Sequence, residues 1–143
     1  MARPLRIEFD GAYYHILSRG NNKSSIFREE EDCRDFLDLL DQMNDRFSID
    51  IYAYVLMGNH YHLLLQTRYG NLSKAMQWLG TSYTRRFDIR NRQSGHLFQG
   101  RFKSILVEDD SYFMNLSCYI HRNQIRAKMV KRLSDYKHSS YQY

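Results

Sequence analysis

The chain carries His60-Tyr61-His62 within the run Met57-Gly58-Asn59-His60-Tyr61-His62-Leu63-Leu64-Leu65. In a β-strand, residues i and i+2 point to the same face, so the two imidazoles project together, roughly 7 Å apart at the backbone. From there both rings can converge on one ion, while Tyr61 and Leu63 pack on the opposite face. The same tripeptide also fits two polar residues on the solvated face of an ordinary strand. A second chemical element lies downstream, in Tyr119-Ile120-His121-Arg122-Asn123. On a helix, Tyr119 and Asn123 stand one turn apart on the same side, with Arg126 further along that edge. Phe113, Leu116, Ile120 and Ala127 form the adjacent apolar stripe that docks such a helix on a sheet. A Tyr at that edge either faces a site where helix meets sheet or packs with its hydroxyl at the surface.

The elements that must position these groups follow from periodicity. Alternation and β-forming residues predict a first strand over Ala12–Arg19, followed by a turn at Gly20-Asn21-Asn22-Lys23. Cys33, Phe36, Leu37, Leu40, Met43 and Phe47 keep helical spacing, which predicts a helix over residues 28–47. Ile49–Met57 reads as strand two, Gly58-Asn59 as a tight connection, and residues 60–66 as an antiparallel strand three. Asn71 or Ser73 opens a second helix, with Leu72, Ala75, Met76, Leu79 and Tyr83 on one stripe and an end near Ile89. A polar loop over residues 90–100 leads to strand four over residues 102–107. Glu108-Asp109-Asp110 caps a last helix running to about Met129, since acids in a first turn suit the helix dipole. The order predicts an α+β fold: a ferredoxin-like antiparallel sheet (βαββαβ) with helices on one face plus a C-terminal helix. A single domain over residues 1–143 is expected. That fold hosts many unrelated activities and by itself selects none.

Composition narrows the partners. The net charge of +5 and pI near 9.2 suit a polyanionic ligand. Arg85, Arg86, Arg90, Arg92, Arg101 and Lys103 interleave with Tyr83, Phe87, Phe98 and Phe102. Cations follow phosphates and exposed rings stack unpaired bases. The plainer alternative is that Phe87 and Phe102 are core and the charges solvate a loop. Arg122, Arg126, Lys128, Lys131 and Arg132 add a basic patch beside Tyr119. Cys33 and Cys118 lack metal-knuckle or disulfide-scaffold spacing, so buried thiols and a reducing cytoplasmic setting are expected. No apolar run approaches membrane-spanning length and no signal-peptide core is visible, so no membrane association is expected. No phosphate-cradling G-x-x-x-x-G-K motif is present, so no ATP site is expected. His15 shares strand parity with Tyr13 and Leu17 and reads as a core histidine or as support for a metal ligand.

The motifs carry a family resemblance. His60-Tyr61-His62 resembles the His-hydrophobic-His metal motif of the HUH endonucleases. Tyr119-Ile120-His121-Arg122-Asn123 with Arg126-Ala127 resembles the catalytic helix of single-Tyr transposases. The subgroup it resembles is the REP-associated tyrosine transposases of the IS200-like superfamily. Further matches are Tyr14-His15-Ile16-Leu17-Ser18-Arg19-Gly20-Asn21, Val55-Leu56-Met57-Gly58-Asn59, Phe98-Gln99-Gly100-Arg101-Phe102-Lys103-Ser104 and Ser139-Ser140-Tyr141. They span nearly the whole chain. Gln124 stands where the family usually has Pro, and His138 where a Trp commonly precedes the Ser pair. Neither position is expected to be chemical.

The resemblance implies a divalent metal, Mg²⁺ or Mn²⁺, held by His60, His62 and Asn123. It implies Tyr119 as the nucleophile, forming a covalent 5′-phosphotyrosine and releasing a 3′-OH. Arg19, Tyr83, Arg85, Arg86, Arg90, Arg92, Arg101, Lys103, Arg122 and Arg126 are the expected DNA contacts. The expected partner is single-stranded or hairpin DNA, a hairpin-forming repeat with a short single-stranded guide, and the expected state is monomer or homodimer. The expected activity is that of a metal-dependent single-strand endonuclease and strand transferase. The competing reading is a non-catalytic nucleic-acid-binding module on a ferredoxin-like sheet; the aromatic pattern of RNA-recognition sheets is not seen. A purely structural zinc site would need four Cys or His ligands, and the sequence offers no convincing four. A mobile element's transposase and a domesticated relative read alike.

Overall fold

The computed structural model describes residues 8–108. Its central strand pair is β1 (Ala12–Arg19) and β3 (His60–Thr67), antiparallel with Arg19 opposite His60. β2 (Ile49–Met57) pairs with the outer side of β3, and β4 (Lys103–Val107) with the outer side of β1, giving the order β2-β3-β1-β4. All pairings are antiparallel. With α1 (Glu30–Phe47) between β1 and β2, and α2 (Leu72–Asn91) between β3 and β4, this is the expected ferredoxin-like βαββαβ arrangement. The expected C-terminal helix lies outside the described residues.

Strand alternation sorts side chains into two layers. Ala12, Tyr14 and Ile16 of β1 and Tyr61, Leu63 and Leu65 of β3 join the buried residues of α1 and α2 in the main core. The opposite sheet face carries a smaller cluster of Ala53, Val55, Met57, Leu64 and Val107, with Tyr13 packed against it. β2 contributes to both layers because its register shifts between Ile51 and Ala53. Ile49 and Ile51 face the main core; beyond the bulge, Tyr54 and Leu56 do so. One extra residue flips the parity. Tyr52, at the bulge, is left exposed, and its hydroxyl donates to Gln66 Oε1 at 3.0 Å.

α1 begins two residues later than its periodicity predicts. Glu29 remains extended and acts as N-cap in a capping box with Asp32. One Asp32 carboxylate oxygen accepts from the amides of Arg28 (3.0 Å) and Glu29 (3.1 Å). The other takes Arg90 of α2 at 3.2 Å, and Arg90 also reaches Asp35 at 2.7 Å. Arg86, one turn earlier, pairs with Asp38 at 3.0 Å and Asp35 at 3.5 Å. The acidic face of α1 and the basic face of α2 thus clamp the two helices together. α2 runs to Asn91, two residues past the expected end, and stops where Arg92 turns left-handed (φ 51°). β3 gains Thr67, and β4 starts at Lys103 rather than at Phe102.

Past β1 the chain turns tightly. Gly20 is required there, because a Cβ would overlap the carbonyl oxygen of Ser24. The Gly20 amide donates to Asn59 O (2.8 Å), Asn21 N to Leu97 O (2.8 Å) and Gln99 N to Arg19 O (2.9 Å). This turn, the β2–β3 connection and the segment before β4 are therefore tied at one end of the sheet, the end that carries His60.

Candidate functional site

His60 and His62 project from β3 on the face opposite the helices, as strand parity predicts. Their ring centroids are 5.2 Å apart and their planes lie at 82°. His62 is buried and His60 half-buried. His60 stands between Arg19 on β1 and Met57 on β2; His62 stands between Leu17 and Val55. Leu17 and Val55 flank the His62 ring on both sides, and Arg19, which is exposed, sets a cation beside His60 at the rim.

Each histidine has a partner for its Nδ1. Asn59 Oδ1 lies 2.7 Å from His60 Nδ1, and an amide oxygen only accepts, so Nδ1 carries the proton and Nε2 keeps its lone pair. His15 Nε2 lies 3.0 Å from His62 Nδ1, and the two rings stack with centroids 5.2 Å apart. In the tautomer where His62 Nδ1–H donates to His15, the Nε2 of His62 is also a free ligand atom. Partners of this kind fix tautomer and orientation in metal-ligating histidines.

The electrostatics favour neutral imidazoles, the form that binds a cation. Burial, then the neighbouring His15 and His60, push His62 down to about 3. Burial and Arg19 lower His60, and burial lowers His15. Among the described residues no group of three or more His, Cys, Asp or Glu side chains is placed to hold a metal. The described part of the site thus supplies a nitrogen pair and its supports, and ligation needs at least one further donor. Asn123, the third expected ligand, lies outside the described residues, as do Tyr119, Arg122 and Arg126.

The expected DNA contacts divide. Arg19, Arg85, Arg92, Arg101 and Lys103 are exposed. Arg86 and Arg90 are engaged by the carboxylates of α1. Tyr83 requires a correction: it is fully buried, ringed by Phe27, Phe36, Phe87 and Phe98, and its hydroxyl donates to the carbonyl of Ile26. Burial and the nearby Asp32 raise its pKa. It is a core residue, and no base can stack on it here. Phe87 is likewise core, with Arg28 across its ring at 5.3 Å. Two supporting residues carried weaker sequence signals. His15 reads from its parity with Tyr13 and Leu17 as core or as support for a ligand, and Asn59 carries no role beyond its place in the turn and the motif before His60.

Comparison with known proteins gives the same direction. The family model for IS200-like transposases matches residues 8–123. No curated protein sequence matches. Among solved structures, a REP-associated tyrosine transposase bound to a REP hairpin is similar at TM-score 0.85 and 16% identity, over 99% of this chain and 84% of that one. A candidate transposase from Deinococcus radiodurans R1 is similar at TM-score 0.56 and 16% identity, over 90% of this chain and 94% of that one. At such identities the structural likeness shows the fold, while the family model spans most of the sequence, including the His pair and Tyr119. The chain belongs to the IS200-like transposase family.

Proposed function

We propose that this chain, as one domain over residues 1–143, is a REP-associated type of tyrosine transposase. It nicks and rejoins single-stranded DNA beside a hairpin-forming repeat, in the cytoplasm. The observation that carries this reading is the His60/His62 pair, with each Nδ1 partnered and Arg19 at its rim. Family membership supports the DNA-processing role, and the fold of a transposase bound to a hairpin supports the DNA form.

The Nε2 atoms of His60 and His62, with the side-chain oxygen of Asn123, would hold Mg²⁺ or Mn²⁺. The nitrogen pair fits such an ion because both imidazoles are held neutral and oriented. When bound, the ion supplies Lewis-acid stabilisation of charge on the scissile phosphate. Tyr119 attacks phosphorus through its hydroxyl oxygen. The Tyr O–P bond forms, the P–O3′ bond breaks, the phenol loses its proton and the departing 3′ oxygen gains one. The product is a 5′-phosphotyrosine and a free 3′-OH, and the reverse attack by a DNA 3′-OH rejoins strands without ATP. Arg19 neutralises phosphate beside His60, and His15 and Asn59 hold the imidazoles in place. Arg85, Arg92, Arg101, Lys103, Arg122 and Arg126 serve the flanking strand.

The test is cleavage of an end-labelled oligonucleotide carrying a hairpin and a single-stranded flank. Mn²⁺ should support nicking, and EDTA and His62→Ala should each abolish it. A module that only binds nucleic acid would leave the strand intact under every condition.

A further inference from the structure

Lys103 opens β4, and the sheet register gives it a place closer to the His pair than its neighbours in the basic segment have. Leu17 of β1 pairs with His62 on one side and with Lys103 on the other. Directly opposed residues of an antiparallel sheet share a face. The parity of β4 agrees. Phe102 and Leu106 pack against the main core, while Val107 belongs to the small cluster on the opposite face, with Ala53, Val55 and Leu64. Lys103 shares the parity of Val107 and so stands on the face that carries His60 and His62. Only Leu17 separates it from His62. Two strand spacings put the backbones of Lys103 and His62 about 10 Å apart. The flexible stem of the lysine on one side and a phosphate bound at His62 on the other can close that span.

The charges here are of one sign. One row across the sheet reads Met57, His60 and Arg19, and the next reads Val55, His62, Leu17 and Lys103. Neither row holds a carboxylate. Lys103 is exposed and enters none of the ion pairs among the described residues. An ammonium without a counter-ion beside two neutral imidazoles suits an anion that arrives from outside.

The two cations of these rows differ in what they can do. A guanidinium keeps its protons in proteins, so Arg19 can bind a phosphate but cannot protonate anything. A lysine ammonium can give a proton up. His60 and His62 offer lone pairs at Nε2, and His15 is held against His62. Among the described side chains around the pair, Lys103 is therefore the one free to deliver a proton. The reaction proposed above needs one, because the departing 3′ oxygen leaves poorly as an alkoxide.

We propose that Lys103 is the general acid of strand cleavage. Its Nζ–H donates to O3′ as the Tyr O–P bond forms and the P–O3′ bond breaks. This leaves a free 3′-OH and a neutral amine, which regains a proton from water. In rejoining, the neutral amine takes the proton of the 3′-OH as that oxygen attacks phosphorus. Lys103 thus meets the flanking strand at its reacting oxygen, whereas Arg19 acts on phosphate by charge alone. This rests on the function proposed above and adds a catalytic residue to it.

The test compares single-turnover cleavage by wild type, Lys103→Met and Lys103→Arg in Mn²⁺ at saturating strand. Two hairpin substrates are used, one natural and one with sulfur in place of the scissile 3′ oxygen. A thiolate leaves without being protonated, so sulfur makes a general acid dispensable. On the natural strand both variants should lose about a hundredfold or more in rate. On the sulfur strand both should cut as fast as wild type. Thermal melting should be unchanged in both variants, and strand affinity in EDTA unchanged in Lys103→Arg. A natural-strand rate restored by Lys103→Arg shows that only the charge matters and overturns the general-acid assignment. Equal losses on the two strands, or no loss on either, overturn it too. A wild type that cuts neither strand overturns the proposed function itself.

Discussion

His15 and His62 form a stacked, hydrogen-bonded pair across β1 and β3, with Nε2 of the first 3.0 Å from Nδ1 of the second and planes 16° apart. They are diagonal neighbours rather than direct partners, since His62 is opposite Leu17 and His15 opposite Leu64. The contact holds the His62 ring by its Nδ1, and in the tautomer where His62 donates to His15 its Nε2 keeps a free lone pair.

His15→Phe keeps the ring and the stack but removes the acceptor. Metal affinity should drop by about 10- to 100-fold. Cleavage should return at raised Mn²⁺, with the maximal rate little altered. Titrating rate against Mn²⁺ for wild type and variant checks this; an unchanged half-saturating concentration would remove His15 from the site.

The same burial makes the fold sensitive to acid. In the unfolded chain these imidazoles titrate near about 6.5; in the folded chain all three titrate lower, His62 at about 3. Between those values the unfolded state binds more protons, so stability rises with pH there. Their contribution is complete above about 6.5 and is lost as pH falls toward 3. Urea midpoints of the metal-free protein should decline from neutral pH to about pH 5, and His62→Leu should flatten that decline.

The helix clamp separates two uses of arginine. Asp32 is fully buried and shared between the α1 cap and Arg90. Arg90→Ala strands part of a buried carboxylate and should destabilise by about 1–3 kcal/mol. Arg86→Ala loses exposed pairs and should cost under about 1 kcal/mol. Arg85→Ala and Arg92→Ala should leave stability alone, weaken DNA binding and reduce its salt dependence. Denaturant titrations and salt-dependent binding on the four variants distinguish the roles.

Tyr83→Phe removes a buried hydroxyl whose acceptor is the Ile26 carbonyl. It should cost about 1–2 kcal/mol in stability and leave affinity for single-stranded DNA unchanged. A specific loss of DNA affinity at unchanged stability would restore Tyr83 to the binding surface.

β1 and β2 were legible to the residue because alternation and glycine-rich turns bound them. The Tyr52 bulge was not, since one added residue leaves a pattern that alternates correctly on either side. The His pair was legible because strand parity is local. Of its supports, His15 was legible as one of two alternatives, core or support, and its contact with His62 needs the β1–β3 register; Asn59 needs the turn geometry. From spacing alone the segment over residues 83–103 fits either a basic and aromatic DNA surface or a helix end whose rings are core. On the helix, however, Tyr83 and Phe87 face inward, while Arg86 and Arg90 reach carboxylates about fifty residues earlier in the chain. Sequence spacing shows which residues share a helix face, and only the packed fold shows which charges are already paired.

The central claim is a covalent step at Tyr119, and trapping the adduct tests it most directly. Wild type, Tyr119→Phe and Tyr112→Phe are incubated with labelled single-stranded hairpin substrate and Mn²⁺, then denatured in SDS. Wild type and Tyr112→Phe should carry label through electrophoresis, and Tyr119→Phe should carry none while still folding and binding DNA. Label retained on Tyr119→Phe would contradict the account.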